Sequence, residues 1–284
     1  MISLAQALAD AQAAGIDRLD AQRLLAHHLG RPRAWLIAHD ADELPALTAP
    51  AWAADLARCA DGVPLAYLLG EHEFHGLRLR VGPDVLVPRA DTETLVDWAL
   101  EMLPTLPASQ ADEPHVDIVD LGTGSGAIAL ALAQRCPAAR VSATDLSPAA
   151  LAVAQDNARR LGLRVQFAAG SWWQAVAALP LPDQRFDLAV SNPPYIAHDD
   201  RHLDRLRHEP RLALTPGGDG LDAIRSIVAG APQHLRAGAW LLIEHGWDQA
   251  QAVRALLMAQ GFDGVLSRHD LAGHPRCSGG RWPG

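Results

Sequence analysis

The sequence contains no lysine: all 24 basic side chains are arginines, set against 33 acidic residues, for a formal net charge of -9. Together with the abundance of alanine, this usage indicates codon bias rather than chemistry. The acidic balance counts against a nucleic-acid substrate, because the phosphate backbone attracts positively charged proteins. Arg201, Arg205, Arg207 and Arg211 form one local cluster. Acidic residues are interleaved with them, so the alternative to a binding patch is a solvated helix face.

Cysteine and long apolar runs are also scarce. Cys59, Cys136 and Cys277 are far apart and form no C-x-x-C pair, which argues against a disulfide framework and against a zinc site. The 13 histidines form no ligand-like cluster, so we expect no metal. No apolar run reaches the roughly 18 residues of a membrane-spanning helix, and the N-terminus lacks the basic segment of a signal peptide. We expect a cytoplasmic protein that does not bind membranes.

A glycine-rich loop lies near the middle of the chain. Residues 116–121 are typical of a buried strand and residues 127–133 of an apolar helix. The loop between them consists of Gly122, Thr123, Gly124, Ser125 and Gly126. Glycine lets the backbone approach a ligand, and a helix N-terminus presents N–H groups to an anion. This order is typical of a nucleotide-type cofactor site, whose anion is either a pyrophosphate or the carboxylate of S-adenosylmethionine. The G-x-G-x-G spacing only partly matches the dinucleotide fingerprint, so the loop alone does not identify the cofactor.

Two further segments extend this candidate cofactor site. Residues 140–145 predict a second strand, and Asp145 follows the glycines by roughly 20 residues, where a carboxylate meets ribose hydroxyls. The alternative role for Asp145 is to cap the next helix, although Ser147 is the better cap candidate. A third predicted strand leads to Trp172 and Trp173. We predict that Trp172 lines an adenine pocket and that Trp173 packs in the core.

The most informative motif is Asn192-Pro193-Pro194-Tyr195, which follows an apolar run at residues 186–190. Tandem prolines fix the backbone and leave carbonyl oxygens free to accept hydrogen bonds. A planar NH2 group fits such a site, with one donor on the Asn192 side-chain carbonyl, the other on the Pro193 backbone carbonyl, and the Tyr195 ring over its face. The alternative for this tetrapeptide is an ordinary turn at the end of a strand. Beside the glycine loop, it predicts methyl transfer to an amide or amine nitrogen.

These motifs and three further ones resemble those of the HemK/PrmC family, the glutamine methyltransferases of peptide chain release factors. The further motifs are VPRADTE at residues 87–93, GGDGLD at 217–222 and IEHGW at 243–247. The resemblance covers nearly the whole chain. It implies that S-adenosylmethionine methylates the side-chain amide of the glutamine in the Gly-Gly-Gln motif of class I release factors, with S-adenosylhomocysteine as the second product.

The resemblance also implies which residues form the site. It places the cofactor on Gly122 to Gly126, Asp145, Trp172 and Asn192, and the substrate glutamine on Asn192 to Tyr195. Two positions depart from the family pattern. Ser171 stands where the family often has an acid, which puts an acidic contact to the adenine amino group in doubt. Ala90 stands where the family usually has a proline after Arg89, which loosens the backbone there.

The hydrophobic periodicity predicts three parts. Residues 1–71 show helical spacing broken by glycine and proline, which predicts a bundle of four or five short helices. We expect this bundle to dock the release factor; a purely stabilising role is the alternative. Residues 72–90 predict a β-hairpin linker around Gly76.

In residues 91–284 helices and strands alternate, which predicts an α/β domain with a mostly parallel sheet, helices on both faces and a final pair of strands around Val265 and Arg276. The resemblance implies that this is a Rossmann-like class I methyltransferase domain. Ligands of such sheets bind at the carboxyl ends of the strands. We therefore expect the glycine loop, Asp145, Trp172 and Asn192 to meet at one edge.

Three other functions stay open at this point. A glutamine of a large-subunit ribosomal protein is a second possible substrate, because its modifying enzymes share the tetrapeptide. The exocyclic amine of a flipped DNA or RNA base is a third, which the net acidity disfavours. A non-catalytic nucleotide-binding or NAD-dependent module would explain the glycine loop but would give the tetrapeptide no task.

Overall fold

Glycine and proline divide the N-terminal part of the chain into short helices. Asp17 caps α2 by accepting a hydrogen bond from the Leu19 N–H at 2.7 Å, and Gly30 ends that helix in the left-handed conformation. Within residues 2–71 there are five helices: α1 (Leu4–Ala13), α2 (Arg18–Leu29), α3 (Arg33–Ala38), α4 (Ala49–Ala60) and α5 (Leu65–Leu69). Their apolar faces enclose a separate core that includes Leu4, Leu24, Leu25, Leu36 and Trp52. The predicted helical bundle is confirmed.

The structure is a computed structural model that describes residues 2–106, 115–181 and 183–284. The chain divides into two compact units, Met1–Glu71 and His72–Gly284. The predicted hairpin consists of β1 (Glu71–Phe74) and β2 (Leu77–Arg80). Leu77 and Leu79 are buried in the core of the larger unit, so the hairpin packs as part of that unit. No helix in the described ranges is both long enough and apolar enough to cross a membrane.

A sheet of seven strands, counted over the described residues, forms the centre of the larger unit. Its order is β5-β4-β3-β6-β7-β9-β8. The strands are β3 (Asp117–Leu121), β4 (Arg140–Asp145), β5 (Gln166–Ala169), β6 (Phe186–Ser191), β7 (Leu235–Glu244), β8 (Asp263–His269) and β9 (Pro275–Arg281). Strands β3 to β7 are parallel, and β9 runs antiparallel to both β7 and β8. The predicted mostly parallel, Rossmann-like sheet is confirmed.

Helices cover both faces of this sheet. The helices of the unit are α6 (Glu93–Met102), α7 (Ala127–Arg135), α8 (Pro148–Leu161), α9 (His202–Arg205), α10 (Asp222–His234) and α11 (Ala250–Gln260). Successive residues of a strand point to opposite faces. Accordingly, Ile118 and Leu242 pack with α6 and α7, whereas Val119 and Leu241 pack with α10 and α11.

The register of the sheet brings the predicted site segments to one edge. Leu121, the last residue of β3, pairs with Thr144, and Asp145, the last residue of β4, pairs with Ala169. The strand order reverses between β3 and β6, whose carboxyl ends lead into the glycine loop and into Asn192. A crevice at such a reversal is the usual ligand site of a parallel sheet.

Candidate active site

A cavity of about 420 Å³ lies at the carboxyl ends of β3 to β6. The predicted site residues in its lining are Gly122, Thr123, Gly124, Ser125, Asp145, Trp172, Asn192 and Pro194. Ser171, one of the two departures from the family pattern, also lines it. The fold therefore brings the glycine loop, the acid, the tryptophan and the tetrapeptide to one space.

The glycine loop is tied to the end of β4 by its own hydrogen bonds. The N–H groups of Gly122 and Thr123 both donate to the Thr144 carbonyl at 2.9 Å. The N–H of Gly124 donates to Asp145 Oδ2 at 2.8 Å. Several of the loop N–H groups thus have partners within the protein, and the carboxylate of Asp145 is part of the loop's support.

Close packing requires two of the loop glycines. Gly122 has a φ of +78°, and a Cβ there would lie 3.0 Å from Cζ3 of Trp172. Gly126 has a φ of +86°, and a Cβ there would lie 2.9 Å from Cδ1 of Leu130 and 3.2 Å from Cβ of Ala154. The first glycine lets the Trp172 ring lie against the loop. The last glycine lets α7 approach α8. Gly126 thus faces the packed helices, and it does not line the cavity.

Asp145 supports the loop and keeps acceptor capacity. Its Oδ2 accepts from Gly124, and its Oδ1 accepts from the Ser147 N–H at 2.8 Å. Burial raises the pKa of the carboxyl, while hydrogen bonds from backbone N–H groups lower it. A carboxylate has about four acceptor positions, so both oxygens can still accept from ligand hydroxyls. Ser147 caps α8 through its hydroxyl, which accepts from the Ala150 N–H at 3.2 Å.

The two tryptophans after β5 have different environments. Trp172 has a φ of +45°, a conformation that is uncommon outside glycine and often found at functional sites, and it lines the cavity. Trp173 is buried, and its indole N–H donates to the Ile227 carbonyl at 2.7 Å. Its ring stacks on His234 with centroids 5.0 Å apart. Trp173 thus belongs to the core, as expected, and Trp172 to the cavity wall.

Thr92 holds Asn192 and Glu244 holds Tyr195, and the sequence motifs predicted no role for either of these two partners. Nδ2 of Asn192 donates to Oγ1 of Thr92 at 3.1 Å. Glu244 is fully buried beside them and accepts from the Tyr195 hydroxyl at 3.3 Å. Burial raises the pKa of Glu244 to about 7, against the lowering effect of the Arg276 charge and the Tyr195 hydroxyl. Oε2 of Glu244 is buried and has no hydrogen-bond partner in the described part of the chain. Glu244 is the second residue of the IEHGW motif, which is the sequence feature that singles out this position.

The far end of the tetrapeptide is fixed through its backbone. Gln249 donates from Nε2 to the Tyr195 carbonyl at 3.0 Å. Gly220, with a φ of +83°, approaches the same carbonyl so closely that a Cβ would collide with it. Gly220 belongs to the GGDGLD motif, so this contact gives the motif a role in supporting the tetrapeptide. Pro193 and Tyr195 lie outside the cavity lining, and the Tyr195 ring packs against the core, so its predicted cover over the substrate stays a prediction.

The segment containing the second departure, Ala90, is anchored to another wall of the cavity. Arg89 forms an ion pair with the buried Glu209, whose other carboxylate oxygen accepts from the Val87 N–H at 3.1 Å. Residues 210–216, which follow Glu209, contribute five lining residues. The change to Ala90 leaves the Arg89 contact intact.

The cavity fits an adenosine-type cofactor. Trp172 offers an aromatic face and Asp145 offers acceptors for ribose hydroxyls. Asp120, two residues before the loop, lies outside the cavity lining and is fully buried, and its Oδ1 has no hydrogen-bond partner in the described part of the chain. Burial raises the pKa of Asp120 to about 7. The described residues contain no group of three His, Cys, Asp or Glu side chains that could hold a metal ion.

Comparison with known proteins agrees with this arrangement. Residues 3–70 match the family model of the PrmC N-terminal domain, and residues 118–218 match that of a methyltransferase domain. The release factor glutamine methyltransferase of Bordetella pertussis is 53% identical over 94% of this chain and 95% of its own length. That of Xylella fastidiosa strain Temecula1 is 49% identical over 95% of this chain and 94% of its own length.

Among solved structures, a methyltransferase from Pyrococcus furiosus has the same fold, with a TM-score of 0.51 and 17% identity over 74% of this chain and 90% of that one. Identity at that level establishes the fold alone. The near-complete coverage of the sequence relatives, together with a matching N-terminal domain, settles the family. The chain belongs to the release factor glutamine methyltransferase family.

Proposed function

We propose that this enzyme uses S-adenosylmethionine to methylate the side-chain amide nitrogen of a glutamine, the one in the Gly-Gly-Gln motif of class I peptide chain release factors. The observation that carries the proposal is that Asn192 and Pro194 line the same cavity as the glycine loop and Asp145. Asn192, one of the two proposed acceptors for the substrate amide, thus lies in the same space as the proposed cofactor residues. The relatives described above are named for the same reaction.

Different residues of the proposed site recognise different parts of S-adenosylmethionine. The glycine loop from Gly122 to Ser125 would lie against the bound cofactor, Asp145 would accept from its ribose hydroxyls, and Trp172 would face its adenine. Gly126 contributes indirectly by letting α7 pack on α8. When bound, the cofactor supplies a methyl group activated by a positively charged sulfur. S-adenosylhomocysteine remains as the product.

The tetrapeptide makes the amide nitrogen reactive by placement. An amide nitrogen is a poor nucleophile, because its lone pair is delocalised into the carbonyl group. Asn192 Oδ1 and the Pro193 carbonyl would accept hydrogen bonds from its two N–H groups and so hold the nitrogen in place for the transfer. The same two acceptors stabilise the positive charge that develops on nitrogen. The N–H proton leaves to water afterwards, so no basic side chain is required.

The test is transfer of a labelled methyl group from S-adenosylmethionine to purified, unmethylated release factor. A release factor whose Gly-Gly-Gln glutamine is replaced serves as the control. Label on the first protein alone supports the proposal. Label on both would place the target elsewhere in the release factor. Label on neither, with cofactor binding intact, would favour a ribosomal protein glutamine or a nucleic-acid base.

We further propose that the N-terminal helical unit docks the release factor and that the reaction takes place in the cytoplasm. The unit has its own core, and it exposes large apolar side chains, with Ile37 at 72% and Leu47 at 97% exposure. All residues that line the cavity belong to the larger unit. A net charge of -9 suits a protein substrate better than a nucleic acid.

A further inference from the structure

We infer that Glu209 is a positioning residue that joins the two segments flanking the tetrapeptide and so sets the place of the tetrapeptide in the cavity. The flanking segments are residues 84–92 and residues 209–216. We call the contacts of Glu209 with Val87 and Arg89 the clamp. The inference rests on the proposed function, because it concerns how the tetrapeptide is presented to the substrate glutamine.

Both flanking segments line the cavity, with five residues each, and both contact the tetrapeptide or the residue after it. At its start, Asn192 donates from Nδ2 to Oγ1 of Thr92 at 3.1 Å. Directly after its end, the Ile196 N–H donates to the Leu214 carbonyl at 3.0 Å. The two segments therefore hold the tetrapeptide from both ends, and a shift of either segment would move it.

One buried carboxylate connects the two segments. Oε1 of Glu209 pairs with Arg89, and Oε2 accepts from the Val87 N–H at 3.1 Å. These partners stand on either side of Pro88, which lines the cavity. The side chain of Glu209 is 3% exposed and that of Arg89 40%. A carboxylate removed from water is costly unless it is paired, so Glu209 keeps both contacts and fixes the first segment against the second.

The clamp acts on a backbone that the local sequence leaves unrestrained. Arg89 is extended, with a φ of -99° and a ψ of 146°, directly before the 3₁₀ turn Ala90–Thr92. A proline at position 90 would confine Arg89 to this region, whereas alanine also allows the helical region. The Thr92 N–H donates to the Arg89 carbonyl at 3.1 Å, so a rotation at Arg89 would carry Thr92 away from Asn192. Glu209 therefore supplies a restraint that a proline would otherwise give.

The test removes the clamp in the full-length enzyme. Glu209→Gln keeps the size of the side chain but loses the charge that pairs with Arg89 and one of the two acceptor oxygens. We expect kcat/KM for release factor to fall roughly 10- to 100-fold, because a displacement of about 1 Å at a catalytic site can cost about 10²-fold. The Kd for S-adenosylhomocysteine should stay close to the wild-type value, because neither flanking segment contains the glycine loop or Asp145.

Ala90→Pro restores the restraint without the carboxylate. The φ and ψ of Arg89 suit a residue before proline, and the first position of a helical turn accepts proline. Alone, this substitution should leave kcat/KM near the wild-type value. Combined with Glu209→Gln, it should recover most of the lost kcat/KM at a temperature well below the Tm of every variant. Glu101→Gln, which breaks an exposed ion pair with Arg268, is the matched control and should behave as the wild type.

Hydrogen exchange measures the clamp without any substrate. In Glu209→Gln, the amides of residues 84–92 and 210–216 should exchange faster, because weaker local contacts make local opening more frequent. Ala90→Pro should reduce this increase in residues 84–92. If Glu209→Gln folds poorly, Glu209→Asp gives a second route. It keeps the charge but is one methylene too short to reach both partners, so the same pattern of loss and recovery is expected.

Four results separate the possible failures. Wild-type kcat/KM in Glu209→Gln would overturn the inference. A loss that Ala90→Pro does not reduce would also overturn it, since Glu209 would then not act through the Arg89 backbone. A rise in the Kd for S-adenosylhomocysteine as large as the fall in kcat/KM would contradict it, because the clamp would then shape the cofactor pocket. No methylation of release factor by the wild type would refute the proposed function instead, and faster exchange in Glu209→Gln would still support the clamp.

Discussion

Gly122→Ala is expected to weaken cofactor binding by displacing the Trp172 ring. Gly122 has a φ of +78°, and the new Cβ would lie 3.0 Å from the ring. An alanine in the left-handed region costs about 1–2 kcal/mol of stability. Relief of the contact shifts the ring by a few tenths of an ångström at the cavity wall. Stacking of a base on an aromatic side chain is worth about 1–3 kcal/mol. Loss of the whole stacking contact would raise the Kd for the cofactor roughly 5- to 150-fold, so a shifted ring should raise it by a part of that range.

Gly162→Ala separates backbone strain from displacement of the ring. Gly162 follows α8 with a φ of +66°, and a Cβ there would meet nothing within 4 Å. Both variants should lose a few degrees of Tm, because both place alanine in the left-handed region. Only Gly122→Ala should bind S-adenosylhomocysteine more weakly in isothermal titration calorimetry.

Wild-type affinity for S-adenosylhomocysteine in both variants would refute this prediction. Trp172 would then not contribute to the cofactor site, whatever its place in the cavity wall. A loss of affinity in both variants would show instead that general destabilisation controls binding. Replacing Trp172 by phenylalanine, which keeps an aromatic face, should cost less affinity than replacing it by alanine.

Three further predictions concern other parts of the enzyme. Asp145→Ala should raise the Kd for S-adenosylhomocysteine in calorimetry and change kcat at saturating cofactor much less, whereas a large fall in kcat alone would contradict a ribose contact. The pKa of Glu244 is raised from 4.5 to about 7, so the native state binds the extra proton between those values and the free energy of unfolding falls as the pH rises through them, by up to roughly 3 kcal/mol. Glu244→Gln should therefore lose less Tm than the wild type between pH 5 and pH 8, and an identical loss would argue against a buried neutral acid. Ile37→Asp should raise the KM for release factor at unchanged cofactor affinity, and an unchanged KM would count against docking through this surface.

The sequence predicts those features of the fold and site whose residues lie close together along the chain. The strand before Gly122, the turn and the helix after it lie within one short stretch, so their periodicity and glycine spacing predict the cofactor half of the site. Asp145 and Trp172 follow strands that are equally readable. The parallel sheet then determines that these segments meet, because the carboxyl ends of its strands share one edge.

The contacts that complete the site have no local signature. Thr92 reaches Asn192 across 100 positions of sequence, and Arg89 reaches Glu209 across 120. A threonine at the start of a helix has an obvious local use as a cap, which conceals its contact with a distant amide. The left-handed backbone of Trp172 is also invisible in the sequence, because tryptophan has no preference for that region.

The position of β9 has a consequence for any shortened form of the enzyme. In the sheet, Cys277 of β9 is the register partner of Glu244, and Ser278 Oγ lies 2.7 Å from Nε2 of His245. The motifs quoted above all end by residue 247, before this strand begins. A premature stop codon before Pro275 would leave all of the motifs encoded but would expose the β7 edge and remove Arg276 from beside Glu244. The catalytic unit is therefore indivisible at its C-terminal end, and a frameshift there should abolish methylation as completely as one within the tetrapeptide.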